Sequence, residues 1–182
     1  MKNMNTLNET PGNLFDYEGE CALAHCISAD FAFDAGVGQF FQSRYSTRDD
    51  LRQRFPHYQW QGHGDCLISN DGNVINLVTK NKVYEKPTLA NMREALVSMR
   101  EVCLERGITK IAMPRIGSGI DGLDWQEVKN IIVDVFMGFE IDIRIVYLED
   151  WFTGRILDPD LEKQNFGKDR KNIDGNTSKK YY

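Results

Sequence analysis

The chain has 182 residues, 41% hydrophobic and 27% charged, with a net charge of −5. That length suits one domain with its own core plus a short tail, and no run nears the roughly 20 apolar residues that span a bilayer. Residues 161–182 carry six basic and three acidic side chains, which leaves a charge of −8 on residues 1–160, a poor match for duplex nucleic acid held through phosphates alone.

In chain order, residues 12–15 (GNLF) read as a strand end or turn. The apolar run CALAHCIS, 21–28, predicts a buried strand, followed by a loop with glycines, 29–38. A helix is predicted from GVGQFFQSRY. A second helix follows through LRQRF, capped by Ser46 or Thr47 and stopped by Pro56. Residues 64–69 and 73–79 predict two strands of a hairpin turning on Asn70-Asp71-Gly72. Thr88 caps an amphipathic helix over 89–106, whose face is Leu89, Met92, Leu96, Met99, Val102 and Cys103, and Gly107 ends it. A strand at 108–113 runs into PRIGSGIDG. Asp124 and Glu127 then form a capping box for a helix over 125–138, and a last strand covers 141–148. Strands alternating with helices predict an α/β sandwich with a mixed sheet, and ligands in such folds sit beyond the carboxyl ends of the strands. The loops 28–38 and 114–122 occupy that position.

The loop 114–122 carries the densest signal. Gly117, Gly119 and Gly122 stand between a strand and a capped helix, where backbone N–H groups can meet a phosphate. No Lys-Ser or Lys-Thr follows, so this is no Walker loop, and its late position argues against the dinucleotide fingerprint it formally fits. A plain tight turn is the alternative. Asp121 reads as a general acid/base, a ribose-hydroxyl acceptor or an Asx-turn residue. Lys80, at a strand's carboxyl end, reads as a phosphate contact, a nucleophile or a surface lysine. Gly36 and Gly38 offer a second phosphate seat. His25 and Cys26 are neighbours on a strand and so face opposite ways, which disfavours a dyad and makes His25 a core histidine with a polar partner. Cys21, Cys26, Cys66 and Cys103 form no C-x-x-C pair, and no histidine stands at zinc spacing from them, so free thiols and no metal or cofactor are expected. The N-terminus lacks the apolar stretch of a secretory leader, and a cytoplasmic protein is expected.

Together these segments resemble a macro domain, the ADP-ribose-binding α/β/α fold. They are most similar to the branch containing the terminal ADP-ribose protein glycohydrolase. The resemblance rests on Gly12-Asn13-Leu14-Phe15, LAHCIS at 23–28 and Ala35-Gly36-Val37. It continues with LVTK at 77–80, KPT at 86–88 and MPRIGSGID at 113–121, followed by Leu123 and Trp125. It implies a three-layer sandwich with a mixed central sheet, covering 12–150. Residues 1–11 become an N-terminal extension. Residues 151–182 become a C-terminal one, with 151–161 packing as a turn or helix and disorder after about 165.

The resemblance also assigns roles. Ser28, Gly36 and Val37 would cradle the distal ribose and diphosphate. Pro114, Arg115, Ile116, Gly117, Ser118, Gly119 and Ile120 would hold the diphosphate from the other side. Asn13, beside Leu14, would contact adenine and Tyr147 would pack on it. Lys80 would attack the anomeric carbon of the distal ribose, and Asp121 would move protons and resolve the adduct. Three departures stand out: Asn13 where many macro domains have Asp, Asp34 where related sequences have Gly, and a polar, proline-ended MNTLNETP at the usual first strand. The implied activity is removal of ADP-ribose from a protein carboxylate or a nucleic-acid base. The alternatives are an ADP-ribose 1″-phosphate phosphatase, a non-catalytic ADP-ribose reader and a macro fold for another nucleotide. Its partner is ADP-ribose or an ADP-ribosylated macromolecule, with nucleic acid only as a modified substrate. No membrane partner is expected, and the chain is expected to be a monomer.

Overall fold

The computed structural model describes residues 7–149 and the short strand at 156–157. At its centre is β2 (Ala22–Ser28), flanked in parallel by β5 (Lys110–Met113) and β4 (Val74–Lys80). An inner strand is buried on both faces, which is why its sequence is almost continuously apolar. β3 (Asp65–Ser69) closes one side antiparallel to β4, through a turn in which Asn70 and Asp71 take φ of 53° and 56°. On the other side β6 (Asp142–Glu149) runs parallel to β5, and β1 (Asn8–Pro11) runs parallel to β6. The sheet order is β1-β6-β5-β2-β4-β3.

Helices α1 (Gly36–Tyr45) and α2 (Thr47–Arg54) cover one face, and α3 (Leu89–Arg106) and α4 (Trp125–Phe136) cover the other. Strand alternation feeds the two cores separately. Leu23 and Ile27 pack toward Phe41 and Leu51, whereas Ala24 packs toward Met92, Leu96 and Met99. The expected three-layer α/β/α sandwich with a mixed sheet is therefore observed. No helix among the described residues is long and apolar enough to cross a membrane.

The caps of α3 and α4 form as the sequence predicts. Thr88 accepts from the Asn91 amide, Asp124 accepts from the Glu127 amide, and Gly107 takes φ 69°. The cap of α2 does not. Ser46 lies in the left-handed region without a side-chain cap, and the Thr47 hydroxyl turns inward to Phe41 and Asn70. The carboxamide of Gln42 supplies the acceptor instead, taking the Arg48 amide at 2.8 Å.

Two expected boundaries change. Asn8–Pro11, expected in an N-terminal extension, is the edge strand of the main sheet. A parallel edge is specified by backbone bonds to β6, so its polar side chains are no obstacle, and Pro11 at the strand end is tolerated there. In the segment expected to pack as a turn or helix, Ile156–Leu157 pairs antiparallel with Leu148–Glu149 as β7. The rest of that segment, the expected disorder and the basic tail lie outside the described residues.

His25 is fully buried and its Nε2 lies 2.7 Å from Asn76 Oδ1. The Asn76 amide nitrogen donates to the Leu67 carbonyl and to Ser69 Oγ, so its oxygen is the atom left for His25 and Nε2 must carry the proton. The imidazole stacks on Phe41 at 3.9 Å between ring centroids. Burial pushes its pKa down to about 4, with the Asn76 bond opposing the shift. An unfolded chain binds that proton near pH 6.5, so this contribution to stability is complete above that pH and is lost as pH falls toward 4. The loss is on the order of 3 kcal/mol. The urea midpoint should fall between pH 7 and pH ~4.5, while the ¹⁵N shifts of His25 stay those of a neutral ring to below pH ~5.5. Titration of His25 near pH 6.5 in the folded chain would contradict this.

Candidate functional site

The carboxyl ends of β2, β4, β5 and β6 open into a cleft of about 350 Å³, a volume within the small-molecule range. One wall is the loop after β2, with Ser28, Gly36 and Val37. The other is the loop between β5 and α4, from Pro114 to Asp121. Tyr147 of β6 lines the far end. Both walls need glycine where the chain turns. Gly36 has φ 56° at the start of α1, and Gly117 has φ 73°. The second loop is closed by its own bonds. The Leu123 amide donates to the Gly117 carbonyl, the Gly122 amide donates to the Gly119 carbonyl, and the Ser118 hydroxyl donates to the Arg115 carbonyl. Lys86 pins it from outside by donating to the Ile120 carbonyl.

Lys80 and Asp121 meet inside the cleft. Lys80 Nζ lies 2.7 Å from Asp121 Oδ1, with side-chain exposures of 11% and 18%. The pair joins the end of β4 to the second loop across 41 positions of sequence. A β-bulge between Ile27 and Ser28 brings Ser28 level with Lys80 across the strands. Ser28 donates to Asp30, whose other oxygen accepts the Val83 amide, so the loop after β4 is tied to the loop after β2. The Cys26 thiol also faces the cleft. Burial pushes its pKa up, the charge of Asp121 adds to this, and Lys80 and a bond to Thr79 oppose it, so it remains a thiol rather than a thiolate nucleophile.

Asn13 and Leu14 are not among the residues that line this cleft. The Asn13 carboxamide oxygen accepts the Phe15 amide at 2.9 Å and caps a short 3₁₀ turn at 14–17. Leu14 is fully buried among core side chains. The turn explains both: a short polar side chain before Leu-Phe satisfies the first free amide, and the two apolar residues drop into the core.

Some residues in and behind the cleft had no sequence signal of their own. Phe33 and Val83 line it, Phe33 with an unusual φ of 52°. Glu9, from the edge strand read as extension, binds three donors at once. Its Oε1 accepts from Arg115 Nε at 3.2 Å and from Trp125 Nε1 at 2.9 Å, and its Oε2 accepts from Lys129 Nζ at 2.6 Å. Burial raises the Glu9 pKa, but the bonds from Lys129 and Trp125 and the charges of Arg115 and Lys129 outweigh it and hold the carboxyl below its usual range. Arg115 in turn lies over the Tyr147 ring at 4.4 Å.

Comparison with known proteins adds to this geometry. Residues 66–132 match the family model described as Macro domain. The chain is 33% identical over 153 residues to a human protein named ADP-ribose glycohydrolase OARD1, covering 79% of this chain and 98% of that one. The macrodomain of Mycobacterium tuberculosis DarG matches in fold with a TM-score of 0.64 at 21% identity, over 80% of this chain and 99% of that chain. The Thermosipho africanus DarTG structure, described as in complex with ADP-ribose, matches with a TM-score of 0.59 at 17% identity, over 78% of this chain and 42% of that chain.

The second loop's shape depends on Gly117. A Cβ there would stand 2.8 Å from Met92 Cε and 3.0 Å from Leu123 Cδ1, on a backbone that L side chains rarely adopt. Gly117→Ala should destabilise the chain by about 1–3 kcal/mol, read as a lower urea midpoint at unchanged slope. A midpoint equal to the parent's would mean the loop has no need of glycine.

Proposed function

The chain belongs to the macro domain family, and we propose that it is an ADP-ribosyl hydrolase that releases ADP-ribose from a modified acceptor, a protein carboxylate or a nucleic-acid base. The observation that carries this reading is the Lys80–Asp121 pair, an amine and a carboxylate 2.7 Å apart and largely shielded from water. The named activity of the human relative, with which this chain shares most of its length, supports it.

In this reading the cleft binds the ADP-ribosyl group with the anomeric carbon of the distal ribose at Lys80. A lysine attacks only as the free amine, and Asp121 stands where it can take the proton. The new bond joins Nζ to the anomeric carbon, and the bond from that carbon to the acceptor breaks. Asp121 returns the proton to the departing acceptor. The sugar ring opens, its oxygen taking a proton from Nζ, and leaves an imine between Nζ and that carbon. Water then adds to the imine carbon, the ring closes again and the bond to Nζ breaks. Asp121 takes the proton from that water, and Lys80 leaves as the amine. The sum is one water consumed, with ADP-ribose and the free acceptor released.

The neighbouring groups support this division of labour. Cys26 is held as the thiol, and His25 lies on the opposite face of β2, bonded to Asn76. The glycine loops surround the place for the diphosphate with backbone rather than with lysines, which suits a domain whose body is acidic.

Lys80→Ala and Asp121→Asn should each lower the release of ADP-ribose from modified protein or DNA by about 100-fold or more, with ADP-ribose binding by calorimetry little changed. Full turnover by Lys80→Ala would overturn the amine mechanism. Binding without turnover of any ADP-ribosylated acceptor by the unmodified chain would make it a reader instead.

A further inference from the structure

We infer that Glu9 is a positioning residue for the nucleobase end of the cleft: it fixes the Arg115 guanidinium over Tyr147, and the base of the ligand stacks on that guanidinium. The inference rests on the ADP-ribose reading of the cleft and adds to it a recognition element built from the edge strand.

Arg115 Nε and Nη2 both point at Glu9 Oε1, at 3.2 Å and 3.1 Å. That is one of the two edges with which a guanidinium grips a phosphate through two parallel bonds. With it turned to Glu9, Arg115 keeps its Nη1–Nη2 end and its flat face for the cleft.

Arg115 Cζ lies 4.4 Å from the centre of the Tyr147 ring, and both side chains line the cleft. A base approaching that ring face meets the guanidinium first. Guanidinium planes stack on aromatic systems, and a stacked base tolerates either surface. Tyr147 is then the backing of the platform rather than the platform itself.

Glu9 keeps this platform still. An arginine free to rotate gives up rotamer entropy when a ligand stacks on it. Here the Glu9 carboxylate is itself fixed by Trp125 at 2.9 Å and Lys129 at 2.6 Å, both on α4. Glu9 sits on β1 opposite Ile145 of β6, two residues before Tyr147. One carboxylate therefore ties the edge strand, the second loop and the start of α4 into one unit behind the arginine. The charges agree, since two cations face one carboxylate and the cluster keeps a net positive charge at the base end of an acidic domain.

The test is a thermodynamic cycle on the full chain, with ADP-ribose binding read by calorimetry. Glu9→Gln and Arg115→Met should each weaken binding roughly tenfold. The double variant should be no weaker than Arg115→Met alone, because Glu9 acts through Arg115. In turnover, Glu9→Gln should raise KM and leave kcat nearly unchanged. Lys129→Met, which removes one of the groups that fix Glu9 but leaves the arginine pair, should weaken binding by less than Glu9→Gln does. Arg115→Lys needs no change at Glu9. It keeps the charge and loses the plane, and should bind as weakly as Arg115→Met. Parental affinity in Glu9→Gln or Arg115→Lys, additive losses in the double variant, or tighter binding by Arg115→Met would each overturn the inference. A parent chain that fails to bind ADP-ribose would instead overturn the reading of the cleft, and this inference with it.

Discussion

An ammonium and a carboxylate held together away from water are costly to bury, and only a frame that fixes both can keep them paired. The Lys80–Asp121 pair imposes that requirement on the whole domain. Lys80 ends a strand whose neighbours on both sides are paired over most of its length. Asp121 lies in a loop closed by its own amides and pinned by Lys86. β2 passes between the two supporting strands, and its bulge at Ser28 sets the level of the lysine. Two separately filled apolar layers hold the sheet on either face. The cleft is then the unfilled space where four parallel strands end.

The two ends of the cleft are built by different physics. At the end that holds Lys80 and Asp121 the walls are backbone and glycine, around one ion pair largely shielded from water. At the far end the wall is the side chains of Arg115, Trp125 and Tyr147, with Glu9 and Lys129 bonded behind them. Backbone walls suit a diphosphate, which needs directed N–H groups and little shape selection. A side-chain wall suits a flat heteroaromatic group, which needs a rigid plane. The His25–Asn76 network on the opposite face serves neither end. It ties β2 to β4 and β3 beneath Phe41.

Much of the fold was legible because the strongest elements carry local signals that agree with one another. For α3 the apolar period, Thr88 and Gly107 all point to the same span, and the structure returns it. For α4 the Asp124 cap fixes the start, although the helix ends at Phe136, two residues earlier than its apolar pattern implied. β1 was not legible, because four residues reading Asn-Glu-Thr-Pro owe their conformation to backbone bonds with β6, 130 residues and more downstream. The α2 cap was missed because its acceptor, Gln42, belongs to the preceding helix. In the site, the glycine loops could be read from their place between strand and helix. That Lys80 and Asp121 should act together came only from the family resemblance, since nothing local links positions 41 residues apart. At Asn13, which the resemblance puts at adenine, the carboxamide oxygen meets a local demand for an amide acceptor at the 3₁₀ turn.

The central claim is that Lys80 forms a covalent bond to the ribose. The direct measurement is to quench turnover of an ADP-ribosylated substrate with borohydride, which reduces an open-chain imine between lysine and sugar to a stable amine, and then to weigh the intact chain. The expected result is one ADP-ribose equivalent per chain, located by peptide mapping at Lys80 and absent from Lys80→Ala. Full turnover with no trapped adduct at any time point, or an adduct at a lysine outside the cleft, would contradict it.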